Sequence, residues 1–310
     1  MKQLIIGSRG SRLALAQTHL IRGLLQETQS GLDVSVKTIR TTGDKLTATP
    51  LSRLAADNKG LFVKEIEEAL LDGSIDLAVH SLKDLPTELP EGLTLGAIPR
   101  REDPRDALIT EGPLPSLEAL PQGARVGTSS LRRETQLRYL RPDLEIVPIR
   151  GNVDTRLRKL HSEGLDAIVL AAAGLRRLGL ARHVSYTFPA DQMIPAIGQG
   201  ALGLEIRSAD EAVGALVRRL EDRTTRISVT AERAFLLAMG GGCQVPMGAH
   251  ATVEGARVRL TAFVASPSGG RMIRDSVEGA DTDLEVLAAG LAESFRRQGA
   301  EEILQEVGLA

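Results

Sequence analysis

The chain's one cysteine stands in Met239-Gly240-Gly241-Gly242-Cys243-Gln244-Val245-Pro246, behind three glycines and ahead of a proline. Glycines leave room for a large group to approach the backbone and the sulfur. A thiolate so placed could attack an electrophilic carbon and leave a stable thioether. A free cysteine is also commonly a small packed hydrophobe, and these residues alone leave both readings open. No histidine nearby in sequence suggests a cysteine-protease pair.

A second group is Gly127-Thr128-Ser129-Ser130-Leu131-Arg132-Arg133. It places hydroxyls at the start of a helix, whose exposed amides favour anions. Two arginines in the first turn oppose the helix dipole, a local cost that makes sense if an anion sits between them and the amides. Solvated arginines on a capped helix are the alternative. Arg150-Gly151-Asn152-Val153-Asp154-Thr155-Arg156 opens another helix after the apolar run Ile146 to Ile149, and Arg9 and Ser11 occupy the matching turn near residue 10. Arginine and hydroxyl groups repeated at strand-to-helix turns point to a ligand with several carboxylates or phosphates. No GxxxxGKS or GxxxxGKT motif is present, which disfavours a nucleoside triphosphate. Finally, His80-Ser81-Leu82-Lys83-Asp84-Leu85-Pro86 follows a buried strand and would bring Ser81, Lys83 and Asp84 to a domain cleft. A carboxylate there can exchange protons or stabilise positive charge on a substrate nitrogen. Standing alone, the segment also reads as a solvated turn and His80 as a packed strand-end residue.

The elements that must carry these groups alternate between short apolar strands and helices. Gln3 to Ile6 reads as a strand, followed by a turn and a helix with Leu13, Ala16, Leu20 and Leu24 on one face. A cousin of this unit begins at Arg125-Val126, with a helix from Leu131 to Leu140 that stops before Pro142. Gly73 to Val79 likewise resembles Gly164 to Leu170, each a turn glycine leading through an aspartate into a buried strand. Two similar α/β domains follow, with sheets covered on both faces and ligand loops at the carboxyl ends of the strands. The charged, proline-bracketed stretch Ile98 to Arg105 suits one crossover between them, and Pro189 to Pro195 suits a second. After it a strand from Gly200 to Ile206 and a helix from Ala209 to Leu220 could return to the first domain. From about Thr224 come a helix, three strands with turns at Glu254-Gly255 and Gly269-Gly270, and two helices. The expected domains are 1–99 with 200–220, 100–199, and a small α+β domain over 221–310.

Composition narrows the function classes. At 310 residues, 42% hydrophobic and 25% charged, the chain suits a soluble protein of two or three domains, and no stretch is apolar enough to span a bilayer. A cytoplasmic location is expected from the lack of a signal-peptide pattern and from the single cysteine. Five scattered histidines give no metal signature, and a net charge of -2 with seven aromatic residues argues against nucleic-acid binding. Of 38 basic residues 31 are arginines, and arginine is the side chain that grips a carboxylate with two parallel bonds.

Taken in order, Arg9-Gly10-Ser11, Lys59-Gly60-Leu61-Phe62-Val63-Lys64-Glu65, Val79 to Asp84, Arg101-Glu102-Asp103-Pro104-Arg105-Asp106-Ala107, Val126 to Arg133, Arg150-Gly151-Asn152-Val153, Pro195-Ala196-Ile197-Gly198-Gln199-Gly200 and Gly241-Gly242-Cys243-Gln244-Val245-Pro246 carry a resemblance across essentially the whole chain. The chain resembles the hydroxymethylbilane synthases, also called porphobilinogen deaminases. The resemblance implies three domains, the first two periplasmic-binding-protein-like (type II) with the active site between them, and a monomer. It implies a dipyrromethane cofactor attached to Cys243 by a thioether and retained as a primer. Each porphobilinogen would lose ammonia to give an electrophilic carbon that the terminal pyrrole attacks, and four additions would precede release of the linear tetrapyrrole. No metal, nucleic acid or membrane is implied. Asp84 would contact pyrrole N–H groups and assist ammonia loss. With Cys243, the cofactor would be held by Ser81, Lys83, Asp84, Thr128, Ser130, Arg132, Arg133, Arg150 and Arg156; the substrate would meet Arg9, Ser11, Phe62, Arg177 and Gln199. The segment Arg53 to Asn58 departs from the family's lid loop by about two residues, so Arg53 is left outside the set. A non-enzymatic binder of organic anions would explain the duplicated domains but not Gly240 to Cys243, and a cysteine hydrolase would need a histidine that the sequence does not supply.

Overall fold

In the computed structural model, residues 3–42, 63–240 and 245–306 are described. In chain order the elements are β1 (Gln3–Arg9), α1 (Arg12–Thr28), β2 (Asp33–Ile39), α2 (Lys64–Leu71), β3 (Leu77–Ser81), a 3-10 turn over Leu82–Asp84, and β4 (Leu93–Ala97). There follow β5 (Asp106–Ile109), β6 (Arg125–Gly127), α3 (Leu131–Leu140), β7 (Glu145–Val147), α4 (Val153–Ser162), β8 (Ala167–Ala171), α5 (Ala172–Arg177) and β9 (Tyr186–Thr187). The rest comprises β10 (Leu202–Arg207), α6 (Glu211–Val217), α7 (Arg223–Ala238), β11 (Met247–Glu254), β12 (Arg257–Ala265), β13 (Met272–Ala280), α8 (Leu284–Arg297) and α9 (Ala300–Gln305).

Two five-stranded sheets share one plan. Their orders are β2-β1-β3-β10-β4 and β7-β6-β8-β5-β9. In each, three neighbouring strands run parallel and the fourth runs antiparallel to both its neighbours. The fourth strand is in both cases the first one laid down after a crossing between units, β10 in the first sheet and β5 in the second. Accordingly one unit comprises Met1–Glu102 and Ala201–Arg226 and the other Asp103–Gly200 and Ile227–Ala310. The return falls at Gly200–Ala201, past the Pro189 to Pro195 stretch. The fold class is the expected one: two similar α/β domains and a small C-terminal α+β domain.

The shared plan has a shared local cause. Gly73 and Gly164 take φ of 78° and 59°, turning the chain into β3 and β8. The aspartate three or two residues on then brackets the neighbouring strand. Asp76 accepts from Ile5 N at 2.9 Å and donates its own N–H to Ile5 O at 2.8 Å. Asp166 does the same with Arg125, at 2.7 and 2.9 Å. A two-way bond at the strand start fixes the parallel register, and a slip of one residue would turn every side chain to the wrong face.

Helix α1 departs from expectation. Its buried residues are Gln17, Thr18, Ile21 and Leu25, while Leu20 is 47% exposed. The apolar stripe read from sequence is rotated because two polar residues lie on the inner face. The C-terminal sheet is the antiparallel meander β11-β12-β13, with helices α7 and α8 packed through Phe235 and Phe295, whose rings meet edge to face at 5.3 Å. Burying each ring stabilises the domain by roughly 1.5–3 kcal/mol, and the ring pair adds about 0.5–1.5 kcal/mol.

Candidate functional site

Parallel pairing of β1 with β3 carries their carboxyl ends to one edge of the first sheet. There Arg9, Ser11, Gln17, His80, Ser81 and Asp84 line a cleft of about 80 Å³, with Leu13, Ala14, Val63, Ile66 and Val79 as its apolar walls. Ser11 is the N-cap of α1 and accepts from Ala14 N at 3.3 Å, so its hydroxyl proton remains available for a ligand. The buried Gln17 amide donates from Nε2 to Ser81 Oγ at 2.9 Å. In the 3-10 turn, Leu82 and Leu85 are buried and Asp84 between them is exposed. Two apolar pins thus hold a carboxylate out at the cleft. Lys83 is half-buried in the same turn. Arg9, Ser11, Ser81 and Asp84, all expected at the site, thus line one cleft, together with Gln17, to which the sequence did not point.

His80 is the packed residue anticipated: its Nε2 lies 2.9 Å from Oε2 of the fully buried Glu205. Glu67 faces the same pair. Burial, with Glu205 adding and His80 opposing, pushes its carboxyl up to about 6.

In the second unit β6 ends in the Gly127 to Ser130 turn. Thr128 is buried, donates its N–H to Val147 O at 2.9 Å, and accepts from Ser130 N through Oγ1 at 3.2 Å. Ser129 donates to Ile149 O at 2.7 Å. Ser130 occupies the N-cap of α3, but its hydroxyl makes no capping bond. Arg132 and Arg133 are both buried, against the solvated alternative. The anion that answers them is the chain's own Asp106, on β5. Arg132 Nη1 lies 2.7 Å from Asp106 Oδ2 and donates to Ile194 O at 2.7 Å. Arg133 reaches Asp106 Oδ1 and also donates to Val169 O at 3.0 Å. Burial would raise the Asp106 carboxyl, but the two guanidiniums outweigh it and hold the group well below the usual carboxylate range. With two cations and one anion, the cluster keeps one positive charge in excess.

Gln199, fully enclosed, donates from Nε2 to Pro104 O at 2.7 Å and to Asp106 Oδ1 at 3.0 Å. Glu232, buried on α7, accepts from Gly198 N at 2.7 Å and Ala251 N at 3.0 Å. Arg156 donates to Gly151 O at 2.8 Å at the start of α4, whose cap Asn152 accepts from Thr155 N. Arg150 sits half-buried just ahead of it. Arg177, at the end of α5, donates to Gly200 O at 2.6 Å. Cys243, Phe62 and the 53–58 segment lie outside the described residues. Asp106 and Glu205 were missed because each is recognisable only by a partner tens of residues away. No group of three or more His, Cys, Asp or Glu that could hold a metal, and no helix long and apolar enough to cross a membrane, occurs among the described residues.

Residues 4–215 match the family described as "Porphobilinogen deaminase, dipyromethane cofactor binding domain", and residues 226–297 match "Porphobilinogen deaminase, C-terminal domain". This chain belongs to the porphobilinogen deaminase family. Curated relatives named porphobilinogen deaminase include one from Geobacter metallireducens, 52% identical over 99% of this chain and 95% of the relative, and one from a Roseiflexus species, 54% identical over 98% and 99%. Among solved structures the chain is similar to an ancestral cationic amino acid solute binding protein, 16% identical, with a TM-score of 0.43 over 71% of this chain and 88% of that one. It is also similar to a TRAP periplasmic solute binding protein from Desulfovibrio salexigens, 12% identical, with a TM-score of 0.39 over 71% and 72%. The first porphobilinogen deaminase match spans both five-stranded sheets, and the second spans the Cys243 loop and the three-stranded sheet.

Proposed function

We propose that this chain joins four porphobilinogen molecules head to tail, with loss of one ammonia each, on a dipyrromethane held by a thioether to Cys243, and then releases the linear tetrapyrrole hydroxymethylbilane by hydrolysis, one water supplying its hydroxyl. The observation that carries the site assignment is the convergence of Arg9, Ser11, Ser81 and Asp84 on one cleft at the strand ends. It combines anion donors with an exposed carboxylate, which is what a substrate bearing both carboxylates and a departing amine requires.

The residues fit the cofactor. Each pyrrole ring carries an acetate and a propionate, and the donors here are of the matching kind: the Ser130 hydroxyl makes no capping bond, Thr128 stands beside it, and Arg132 and Arg133 hold a charge that Asp106 only half neutralises. Bound, the dipyrromethane supplies the free pyrrole carbon to which the first substrate ring is added. Ser81, Lys83, Thr128, Ser130, Arg132, Arg133, Arg150 and Arg156 hold carboxylates of the cofactor; Arg9, Ser11, Phe62, Arg177 and Gln199 serve the incoming substrate. Asp84 accepts from pyrrole N–H groups and stabilises the positive charge that develops as the carbon–nitrogen bond breaks.

The same reading takes the protein as a cytoplasmic monomer without metal or nucleic acid. It divides the chain into 1–99 with 200–220, 100–199 and 221–310, which the return of β10 to the first sheet supports. Intact mass under denaturing conditions tests it, comparing wild type with Cys243→Ser and adding Ehrlich's aldehyde reagent for colour. An added mass equal to two linked pyrroles, absent from the serine variant, is expected. An unmodified mass that persists after incubation with porphobilinogen would overturn the reading in favour of an anion-binding protein.

A further inference from the structure

Beneath the cleft of the first unit lies a buried group with no role in the proposed chemistry. β10 pairs with β3 so that Gly203 stands opposite His80 and Glu205 opposite Ala78. With no side chain across from it, the imidazole leans along the sheet to Glu205, Nε2 to Oε2 at 2.9 Å. Glu205 Oε1 has no hydrogen-bond partner among the described residues although the side chain is fully buried. His80, at the other end of the pair, forms part of the cleft wall beside Ser81 and Asp84.

We propose that Glu205 and His80 are positioning residues for the reaction: the buried pair fixes the end of β3, from which Ser81 and Asp84 are presented to the cleft. The inference rests on the assignment of Ser81 and Asp84 made above. A carboxylate bonded to one ring nitrogen holds an imidazole in one orientation with that nitrogen protonated. His80 and Ser81 are consecutive, and Leu82 N donates to Ala201 O, so the same two strands that carry the pair also set the 3-10 turn of Asp84. Glu67, on α2, faces the pair, and Glu68 adjoins it in sequence. Burial first, and the neighbouring Glu205 after it, raise the Glu67 carboxyl.

The test uses the full-length, primer-loaded protein. In wild type, proton NMR should show a downfield, slowly exchanging His80 Nε2–H signal; Glu205→Gln, which leaves a neutral and weaker acceptor, should move it upfield. The same variant should show kcat reduced by between about ten- and a hundredfold with KM within about twofold of wild type. His80→Gln, whose amide can still donate to Glu205, should recover part of the kcat lost in His80→Ala. Wild-type kcat in Glu205→Gln, or equal losses in His80→Gln and His80→Ala, would overturn the proposal. Should His80→Ala fail to fold, Glu205→Gln alone decides. Full turnover in Asp84→Asn would instead sink the assignment on which the proposal rests.

Discussion

Arg133 places two nitrogens on one oxygen of Asp106, Nε at 3.0 Å and Nη2 at 2.9 Å, where neither side chain reaches solvent to any extent. Removing one member of such a pair leaves the other charged and buried. Asp106→Asn, which strands Arg132 and Arg133 together, should lose about 3–5 kcal/mol of stability. Urea denaturation followed by circular dichroism measures it, and a loss below about 1 kcal/mol would show that the cluster is hydrated or rearranges.

The two arginines also bear on the cofactor. Arg132→Leu or Arg133→Leu should purify without the added dipyrromethane mass, whereas fully loaded variants would mean that their guanidiniums serve Asp106 alone.

Asp84 offers the contrasting case of an exposed carboxylate. Asp84→Asn should keep wild-type stability within about 0.5 kcal/mol and lose nearly all turnover, with poor primer assembly. Near-normal turnover sinks its role.

Glu67 gives a pH dependence with a definite sign. Its carboxyl rises from the ordinary 4.5 to about 6 in the folded chain, so folding favours the protonated form. That contribution is complete below pH 4.5 and fades as pH rises through 6. Glu67→Gln has no proton to lose. It should match wild type at pH 4.5 and become relatively more stable toward neutrality; a constant difference across denaturation curves from pH 4.5 to 7.5 would refute the shift.

Two glycines should respond oppositely to alanine. A Cβ on Gly127 would lie 2.8 Å from Leu165 Cδ1 and 3.0 Å from Ile149 Cδ1, so Gly127→Ala should cost about 1–3 kcal/mol by overpacking. Gly23, inside α1, would meet nothing within 4 Å, and Gly23→Ala should stabilise by about 0.5–1 kcal/mol. Thermal melts of the two variants settle both.

What could be read in the sequence was local. The Gly73 and Gly164 turns, the aspartates after them, the helix starts after Ser130 and Gly151 and the C-terminal hairpins depend on near neighbours, so their residues announce them. The inner face of α1 was misread because Gln17 is buried to meet Ser81, 64 residues away. Asp106 looked like one more charge in Arg101 to Ala107, since nothing nearby shows that it answers Arg132 and Arg133. Long-range polar pairs carry no periodicity, and the positioning of the site consists largely of such pairs.

The placement of β10 between β3 and β4 has a consequence for synthesis. About a hundred residues separate β4 from β10, so at 5–20 residues per second the first sheet waits roughly 5–20 s on the ribosome without its fourth strand. Meanwhile β5 to β9, contiguous in the chain, can close their own sheet. The insert is therefore expected to fold first, while β3 and β4 present open edges to other nascent chains. The interval before β10 emerges is when this protein is most exposed to misassembly and has most use for a chaperone.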